Sequence, residues 1–302
     1  MTTRNRAAAP EQALASVADY VALTKPRVVF MILIVTAVGF VLGSPGPGAA
    51  IDPLLLVSTL LGTALVAGGT LSLNQYMEMD LDARMRRTQR RPLPAGRMAP
   101  FEALAFGCAL AAAGLLCLTF AVTPLAGLVT AATLVTYLFA YTPLKRRSAV
   151  CTLVGAFPGA LPPVTGFVAA GGSLGIEAAV LFGILFFWQL PHSLAIARLY
   201  RDDYAAADIK MLPTVDTTGA STGRHAIVNA LSLVAVGMLP TVIGMSGWAA
   251  FVVAGALGLW MLWRCVILAR DNAPATARRL LIASYVYIPV VMGTLAIDRI
   301  LV

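Results

Sequence analysis

Charged residues are scarce in this chain, and their scarcity excludes most classes of soluble protein. Only 12% of the 302 residues are Asp, Glu, Lys or Arg, whereas 59% are hydrophobic. Too few polar side chains remain to cover soluble domains of this total length. The apolar runs between charge clusters are about as long as the roughly 20 residues that a helix needs to cross a bilayer. The composition therefore indicates an all-α integral membrane protein and excludes a β-barrel, a secreted domain and a disordered tail.

Cysteine and histidine are also rare, with four and two residues. Cys108, Cys117, Cys151 and Cys265 stand singly in apolar runs, without a CxxC motif or an adjacent histidine. This pattern predicts helix packing and argues against a disulfide framework or a zinc site. The first 20 residues carry charges of both signs and no apolar run directly after the arginines, so we expect no cleavable signal peptide.

Nine apolar runs are long enough to be membrane-spanning helices. By residue number they are 27–43, 54–77, 101–121, 124–142, 150–170, 178–199, 225–244, 247–268 and 280–298. If the N-terminus is cytoplasmic, every lysine and arginine except Arg299 falls in or beside an inner segment. This bias predicts nine spans with the N-terminus in the cytoplasm and the C-terminus outside. It also accounts for the net charge of +8, so we expect no nucleic-acid partner.

The domain organisation follows from the same pattern. We expect a cytoplasmic segment at 1–26 and one transmembrane domain at 27–302. The inner loops at 78–100 and 200–224 are long and charged, and each begins with carboxylates. We therefore expect the active site on the cytoplasmic side, at these two loops.

The first acidic cluster follows the second predicted span. Asn74, Glu78 and Asp82 are spaced four residues apart, so a continuing helix would align them as one stripe of oxygen ligands roughly 12 Å long. Mg²⁺ is bound by one or two such carboxylates together with water and phosphate oxygens. The arginines directly after the stripe suit a diphosphate. The alternative is that the acids solvate a helix end and pair with those arginines.

The second acidic cluster follows the sixth span. Asp202, Asp203 and Asp208 come after His192, and Asp203 lies eleven residues beyond it, so both could face one cavity. For His192 the alternative is a hydrogen bond to a neighbouring helix. Lys25, Arg27 and Lys145 flank other spans; they could reach a phosphate or serve only as stop-transfer charges.

These motifs resemble the UbiA superfamily of intramembrane prenyltransferases, whose first motif is NxxxDxxxD; here Glu78 stands for the first Asp. More narrowly, they resemble the branch that farnesylates protohaem IX. The resembling stretches are LTKPRV (23–28), NQYMEMDLDARMRRTQRRPLP (74–94), YTPLKRRS (141–148), GAFPGALPPVTGF (155–167), WQLPHSLAIARLYRDDYAAADIKMLP (188–213) and ID (297–298). In the family's second motif, DxxxD, Asp203 is followed four residues on by Ala207 and five on by Asp208, which leaves open whether Asp208 is the second carboxylate of this motif.

The resemblance implies a nine-helix bundle around a central cavity and transfer of farnesyl from farnesyl diphosphate to a vinyl group of haem B. With addition of water, the products are haem O and diphosphate for terminal oxidases. It implies a multi-pass protein of a bacterial inner membrane, in contact with lipid, with Mg²⁺ as cofactor and with haem A synthase or oxidase assembly factors as candidate partners. His192 would ligate the haem iron or orient the propionates.

The motifs and the resemblance together suggest roles for single residues, and the resemblance itself supplies those of Asn74, Glu78, Asp82 and Asp203. The catalytic and metal-binding set is Asn74, Glu78, Asp82 and Asp203, with Asp208 as a further metal ligand. The diphosphate-binding set is Lys25, Arg27, Arg84, Arg87, Arg91, Lys145, Arg201 and Lys210. The haem or acceptor set is Trp188, Gln189, His192, Tyr200 and Tyr204.

Two other functions stay open at this point. One is prenylation of an aromatic or quinone precursor by the same machinery. The other, from a different class, is a secondary transporter for anions, which predicts polar residues near the middle of broken helices. The acids here stand at helix ends instead.

Overall fold

The computed structural model describes residues 15–46 and 50–301, and within these ranges the chain forms helices and no strand. Most of the long helices begin at a proline, such as Pro26, Pro53, Pro100 and Pro274. Proline suits the first helical turn because its fixed φ is helical and the missing N–H would have no partner there. A proline therefore marks the start of most of the membrane-spanning helices.

The first half of the chain contains nine α-helices and two π-helical turns. They are α1 Val17–Thr24, α2 Pro26–Gly43, α3 Pro53–Met77, α4 Met79–Asp82, α5 Pro100–Leu116, the π turn Cys117–Val122, α6 Pro124–Val135, the π turn Thr136–Tyr141, α7 Thr142–Leu144, α8 Cys151–Ala160 and α9 Pro162–Ala169. The second half contains six more helices. They are α10 Ile176–Leu199, α11 Arg201–Ala206, α12 Leu212–Val215, α13 Ala220–Val242, α14 Trp248–Asp271 and α15 Pro274–Leu301.

Nine segments of the described chain are long and apolar enough to cross a membrane, which confirms the predicted number of spans. They are Pro26–Gly43, Pro53–Met77, Pro100–Val122, Pro124–Leu144, Cys151–Ala169, Ile176–Leu199, Ala220–Val242, Trp248–Asp271 and Pro274–Leu301. Their ends lie within a few residues of the predicted ones except at the start of the seventh and ninth spans, which begin earlier. The helices continue there through polar residues that an apolar run does not include. The sidedness of the membrane stays a prediction, and residues 1–14 of the expected N-terminal segment lie outside the described chain.

Small residues let the helices approach each other closely. A Cβ added at Gly166 of α9 would collide with the Thr36 carbonyl oxygen of α2, and one at Gly69 of α3 would collide with the Ala111 backbone of α5. Such contacts are typical of membrane helices, where packing takes over from the hydrophobic effect as the force that joins them. The fifth span breaks between Ala160 and Pro162. This break lies in a run of glycine and proline, and proline interrupts helices because it has no backbone N–H and its ring clashes with the preceding turn.

Both acidic clusters lie where a long membrane helix breaks. Helix α3 ends at Met77, and Glu78 (φ −108°, ψ 11°) joins it to the short helix α4. Helix α10 ends at Leu199, and Tyr200 (φ −109°, ψ 29°) joins it to α11. The same device therefore turns two chain segments at one end of the bundle.

Candidate active site

A small polar cavity, which we call the polar chamber, lies where α3 and α4 meet the fourth span. Its volume is about 140 Å³. It is lined by Lys25, Asn74, Glu78, Asp82, Met85, Arg87, Arg91, Tyr137, Tyr141, Lys145, Tyr204, Ile209 and Met211. The three residues of the predicted stripe thus share one cavity, although the helix breaks at Glu78. Asp80, two residues off the stripe, is exposed.

The two carboxylates of the chamber are buried and each is paired with a cation. Asp82 is 1% exposed, and its Oδ2 lies 2.6 Å from Arg91 Nη1. Glu78 is 8% exposed, and its Oε1 lies 2.7 Å from Lys145 Nζ. A buried carboxylate without a partner would be strongly destabilising, so the paired base offsets the cost of burying each acid. The chamber thus holds two carboxylate groups at a buried position.

Asn74 contributes a neutral oxygen to the same group. Its Nδ2 donates to Thr142 Oγ1 at 3.1 Å, and this hydroxyl in turn donates to the Tyr137 carbonyl. Because the amide nitrogen is occupied, the amide oxygen remains as the group that can bind a cation.

The donor set fits Mg²⁺ bound together with a diphosphate. Within the described residues no three His, Cys, Asp or Glu side chains are grouped to hold a metal ion alone. Two carboxylates and an amide oxygen are too few for a complete shell but suit Mg²⁺, which keeps water and phosphate oxygens as its other ligands. The lysine and arginine side chains that line the same chamber suit the phosphates.

Lys25 adds a further basic side chain to the lining of the chamber. It stands between α1 and α2 in the left-handed backbone region, with φ 49°. Burial, with the nearby charges of Arg91 and Lys145, lowers the pKa of Lys25 to about 7. An added negative charge would therefore be strongly favoured next to this group.

Three tyrosine rings complete the chamber. Lys145 Nζ lies 4.5 Å from the centroid of Tyr141, whose ring packs edge-on against Tyr137 at 5.1 Å. Tyr204 approaches from α11, and its hydroxyl accepts a hydrogen bond from Arg87 Nη2 at 3.4 Å. The electron-rich faces of such rings stabilise positive charge.

The second acidic cluster lies beside the chamber instead of lining it. Asp203 is half-buried, and its Oδ2 accepts a hydrogen bond from the Arg87 backbone N–H at 3.3 Å. The Arg87 guanidinium lies 4.9 Å from the Tyr200 ring centroid. Asp203 also borders a surface pocket of about 370 Å³, lined by Arg84, Arg86, Leu199, Tyr200, Asp202, Asp203 and Ala206. The two acidic loops therefore meet through Arg87.

Besides Asp203 and Arg27, four predicted ligands are absent from the chamber lining. Asp208 is exposed and takes the left-handed conformation, with φ 54°. Lys210 is exposed, although its backbone N–H donates to the Lys145 carbonyl at 2.8 Å. Arg201 is absent from the chamber lining, and Arg84 borders the surface pocket.

A larger cavity, which we call the apolar cavity, lies between α2, α8, α9, α10 and α15. Its volume is about 670 Å³, within the roughly 300–1,000 Å³ range of small-molecule sites. It is lined by Arg27, Val28, Phe30, Met31, Ile32, Val35, Gly159, Pro162, Leu185, Trp188, Gln189, His192, Ser193, Ile196, Ser284, Tyr285 and Ile288. Three predicted acceptor residues are here. Arg27, predicted to bind diphosphate, borders this cavity and not the polar chamber.

Among the residues of these sites that the sequence reasoning missed are Tyr137, Tyr141 and Ser284. Tyr137 and Tyr141 line the polar chamber; their spacing of four residues just before the basic run was the available signal. Ser284 lines the apolar cavity on the ninth span, and nothing in its local sequence distinguishes it from an ordinary helix serine.

Comparison with known proteins adds a family and a fold. The model of the UbiA prenyltransferase family matches residues 32–288. The chain is 46% identical over 287 residues to a protein of Solibacter usitatus named "Protoheme IX farnesyltransferase", covering 93% of this chain and 98% of that protein. The fold is similar to the structure of digeranylgeranylglyceryl phosphate synthase, with a TM-score of 0.79, 15% identity and 95% and 99% of the two chains covered. It is also similar to a UbiA homolog from Archaeoglobus fulgidus bound to GPP and Mg²⁺, with a TM-score of 0.65, 17% identity and 94% and 100% covered.

Proposed function

The chain belongs to the UbiA prenyltransferase family, and from this premise we propose that it transfers the farnesyl group of farnesyl diphosphate to a vinyl group of haem B. Water adds in the same reaction, and the products are haem O and diphosphate. The observation that supports this proposal most directly is that the polar chamber and the apolar cavity adjoin each other. A buried chamber of carboxylates and bases suits a metal-bound diphosphate, and a large apolar cavity with a histidine suits a porphyrin. The Solibacter relative, 46% identical, is named for this activity.

The polar chamber would hold the donor's diphosphate. Glu78, Asp82 and the Asn74 oxygen are the residues that would bind Mg²⁺, as the A. fulgidus homolog of the same fold is bound to Mg²⁺ and GPP. When bound, the ion draws negative charge from the diphosphate and makes it a better leaving group. Lys25, Arg91 and Lys145 line the same chamber; they would stabilise the charge that grows on the departing oxygens.

The reaction itself divides into bond breaking and bond formation. The C–O bond of the donor breaks, and its electron pair leaves with the diphosphate. The allylic cation that remains is stabilised by the rings of Tyr137, Tyr141 and Tyr204. The vinyl π electrons of haem then form the new C–C bond. The resulting cation takes the oxygen of a water molecule and loses a proton, which leaves the hydroxyl group.

The apolar cavity would hold the acceptor. Its lining is mostly aliphatic and aromatic, and Trp188, Gln189 and His192 from α10 belong to it. Arg27 stands at its border and is exposed, so we assign it to the haem propionates instead of the diphosphate. Lys25 and Arg27 are two residues apart and line different cavities. The two sites are therefore adjacent, as a transfer between two bound molecules requires.

The second acidic loop would complete the donor site. Asp203 already meets the first loop through the Arg87 backbone, and we assign it the role of the metal-binding carboxylate of the second motif. Arg84, Arg201 and Lys210 would guide the anionic donor from the surface. Asp208, predicted as a further metal ligand, would contribute its carboxylate from outside the chamber. Tyr200 and Tyr204 hold Arg87 between the loops.

The cellular setting follows from charge and solubility. We place the acidic loops on the cytoplasmic side of a bacterial inner membrane, because the basic residues cluster with them. A farnesylated haem is poorly soluble in water, so a haem A synthase or a terminal oxidase assembly factor in the same bilayer is the proposed recipient.

The test is incubation of purified protein in lipid nanodiscs with haem B, farnesyl diphosphate and Mg²⁺. We expect a haem product heavier by a farnesyl group plus water, equimolar release of diphosphate and no reaction without Mg²⁺. Diphosphate release with an aromatic or quinone precursor, and none with haem B, would favour the alternative acceptor. Binding of diphosphate without release of either product from folded protein would contradict prenyl transfer.

A further inference from the structure

His192 is held in one orientation by contacts from its own helix, α10, and from α15. Its ring stacks on Trp188 one turn earlier in α10, with centroids 4.7 Å apart and an interplanar angle of 20°. Tyr285 of α15 packs edge-on against it at 5.3 Å. His192 Nδ1 lies 2.8 Å from Ser284 Oγ, and Trp188 Nε1 donates to the Ser284 carbonyl at 2.9 Å. The imidazole is therefore fixed by contacts with two aromatic rings and by one hydrogen bond.

The hydrogen bonds of Ser284 fix the position of the imidazole proton. Ser284 Oγ lies 2.7 Å from the Leu281 carbonyl oxygen, a separation at which a proton must lie between the two oxygens. A hydroxyl has only one proton to donate. The Ser284 oxygen must therefore accept a hydrogen bond from His192, so Nδ1 carries the proton. In a mostly apolar cavity the ring is neutral, and Nε2 then holds a free electron pair.

The free nitrogen is accessible from the apolar cavity. His192 lines that cavity. Among the described residues Nε2 has no hydrogen-bond partner, and it is not one of the buried polar atoms that lack one. A neutral imidazole whose other nitrogen donates to a fixed oxygen is the usual state of a histidine metal ligand.

We propose that His192 Nε2 binds the iron of the acceptor haem as an axial ligand and thereby sets the position of its vinyl groups. This inference rests on the proposed function, because it takes haem as the acceptor. Ser284 is the positioning residue, acting through Nδ1. A propionate is the poorer partner for His192, because a carboxylate needs a donor and Nε2 has none to offer. Arg27 supplies that donor at the border of the cavity.

The chain offers a matched control, since it contains only two histidines. His225 on α13 is exposed, its Nδ1 lies 2.8 Å from the Ser221 carbonyl oxygen, and it lines a different, smaller cavity. His192→Ala and His225→Ala therefore each remove one imidazole. Only the first removes a ring of the apolar cavity.

The experiment measures absorption and electron paramagnetic resonance spectra of ferric haem B added to protein in nanodiscs. We expect an imidazole-ligated spectrum in the wild type and in His225→Ala, and its loss in His192→Ala with recovery on adding free imidazole. Ser284→Ala should weaken haem B binding by about tenfold, as loss of an outer partner of a metal ligand does. It should leave binding of iron-free protoporphyrin IX unchanged. Where His192→Ala does not fold, Ser284→Ala decides the question alone.

Two outcomes would overturn the ligand role. One is an imidazole-ligated spectrum that persists in folded His192→Ala. The other is an equal loss of affinity for haem B and iron-free protoporphyrin IX in Ser284→Ala. Farnesylated haem formed by wild type with either outcome would leave the proposed function standing. A histidine-ligated spectrum in a protein that never transfers farnesyl would instead support the ligand and overturn the activity.

Discussion

The two acidic clusters follow broken membrane helices in the same way but differ in burial. Glu78 and Asp82 are buried and each contacts a cation within 3 Å. In the second cluster Asp202 and Asp208 are exposed, and Asp203 is half-buried with a hydrogen bond from a backbone N–H. Buried pairs are costly to break, whereas exposed charges contribute little to stability. We infer that the first cluster is preformed and that the second can adjust to a bound diphosphate.

The largest effect is expected when a buried carboxylate of the first cluster is replaced, compared with an exposed carboxylate nearby. Asp82→Asn removes a buried charged ligand and should lower farnesyl transfer by about 10²–10³-fold, the range for loss of one electrostatic group at a reacting centre. Asp80→Asn changes an exposed carboxylate two residues away and should leave the rate within about twofold. The measurement is the initial rate of haem conversion, and equal rates for the two variants would refute the assignment of Asp82.

The next effect tests whether the first cluster is a true buried pair. Lys145→Met leaves Glu78 buried without its cation and should lower the free energy of unfolding by about 3 kcal/mol. Adding Glu78→Gln removes the uncompensated charge, so the double variant should recover most of that loss. Denaturant unfolding in detergent measures both, with the exposed Arg146→Met as control. A double variant no more stable than the single one would show that the pairing is not the cause.

A smaller effect is expected in the second cluster. It also tests which of its carboxylates, Asp203 or Asp208, binds the metal. Asp203→Asn should lower the rate and the affinity for farnesyl diphosphate by roughly tenfold, as loss of one charge-assisted bond does. It should leave stability unchanged within about 0.5 kcal/mol. Asp208→Asn should have a smaller effect, because Asp208 is exposed outside the chamber. A greater loss of rate and affinity in Asp208→Asn than in Asp203→Asn would show that Asp208, and not Asp203, is the metal-binding carboxylate.

The smallest effect concerns how the loop of the first cluster is anchored. Asp19 caps α1 through Ser16 and contacts Arg97 Nε at 2.9 Å, and these contacts hold the pKa of Asp19 below its ordinary value. A lowered carboxyl pKa gives stability that is complete above the unfolded pKa and is lost as pH falls through the folded pKa.

The melting temperature of Asp19→Asn should therefore be slightly below that of the wild type at pH 7. The difference should be constant down to about pH 4 and vanish below that. A difference that grows on acidification would contradict the role of the charged carboxylate.

Much of this architecture could be predicted from the sequence, because the deciding interactions are local. The span from Pro53 to Met77 was predicted as 54–77, since its apolar length and flanking charges suffice. Asn74, Glu78 and Asp82 could be grouped because helical spacing places them on one side. The break at Glu78 was not expected, yet the short helix that follows returns Asp82 to the same cavity.

The positions of the bases depended on distant parts of the chain. Nothing local separates Arg91, which reaches Asp82, from the exposed Arg90, or shows that Arg27 borders the apolar cavity while Lys25 lines the chamber. Tyr141 joins the site because a π-helical turn on the fourth span places it there. These choices follow from how helices pack, which hydropathy does not encode.

Three features could be found in the amino-acid sequence alone: the number of spans, the resemblance to an intramembrane prenyltransferase and the grouping of Asn74, Glu78 and Asp82. Each depends on residues within one helix or on total composition. Packing between helices determines which cation meets which carboxylate, which cavity each predicted residue lines and which nitrogen of His192 is free. Those features require contacts such as Lys145 with Glu78 and Ser284 with His192. Such partners are far apart in the chain, and only helix packing brings them together.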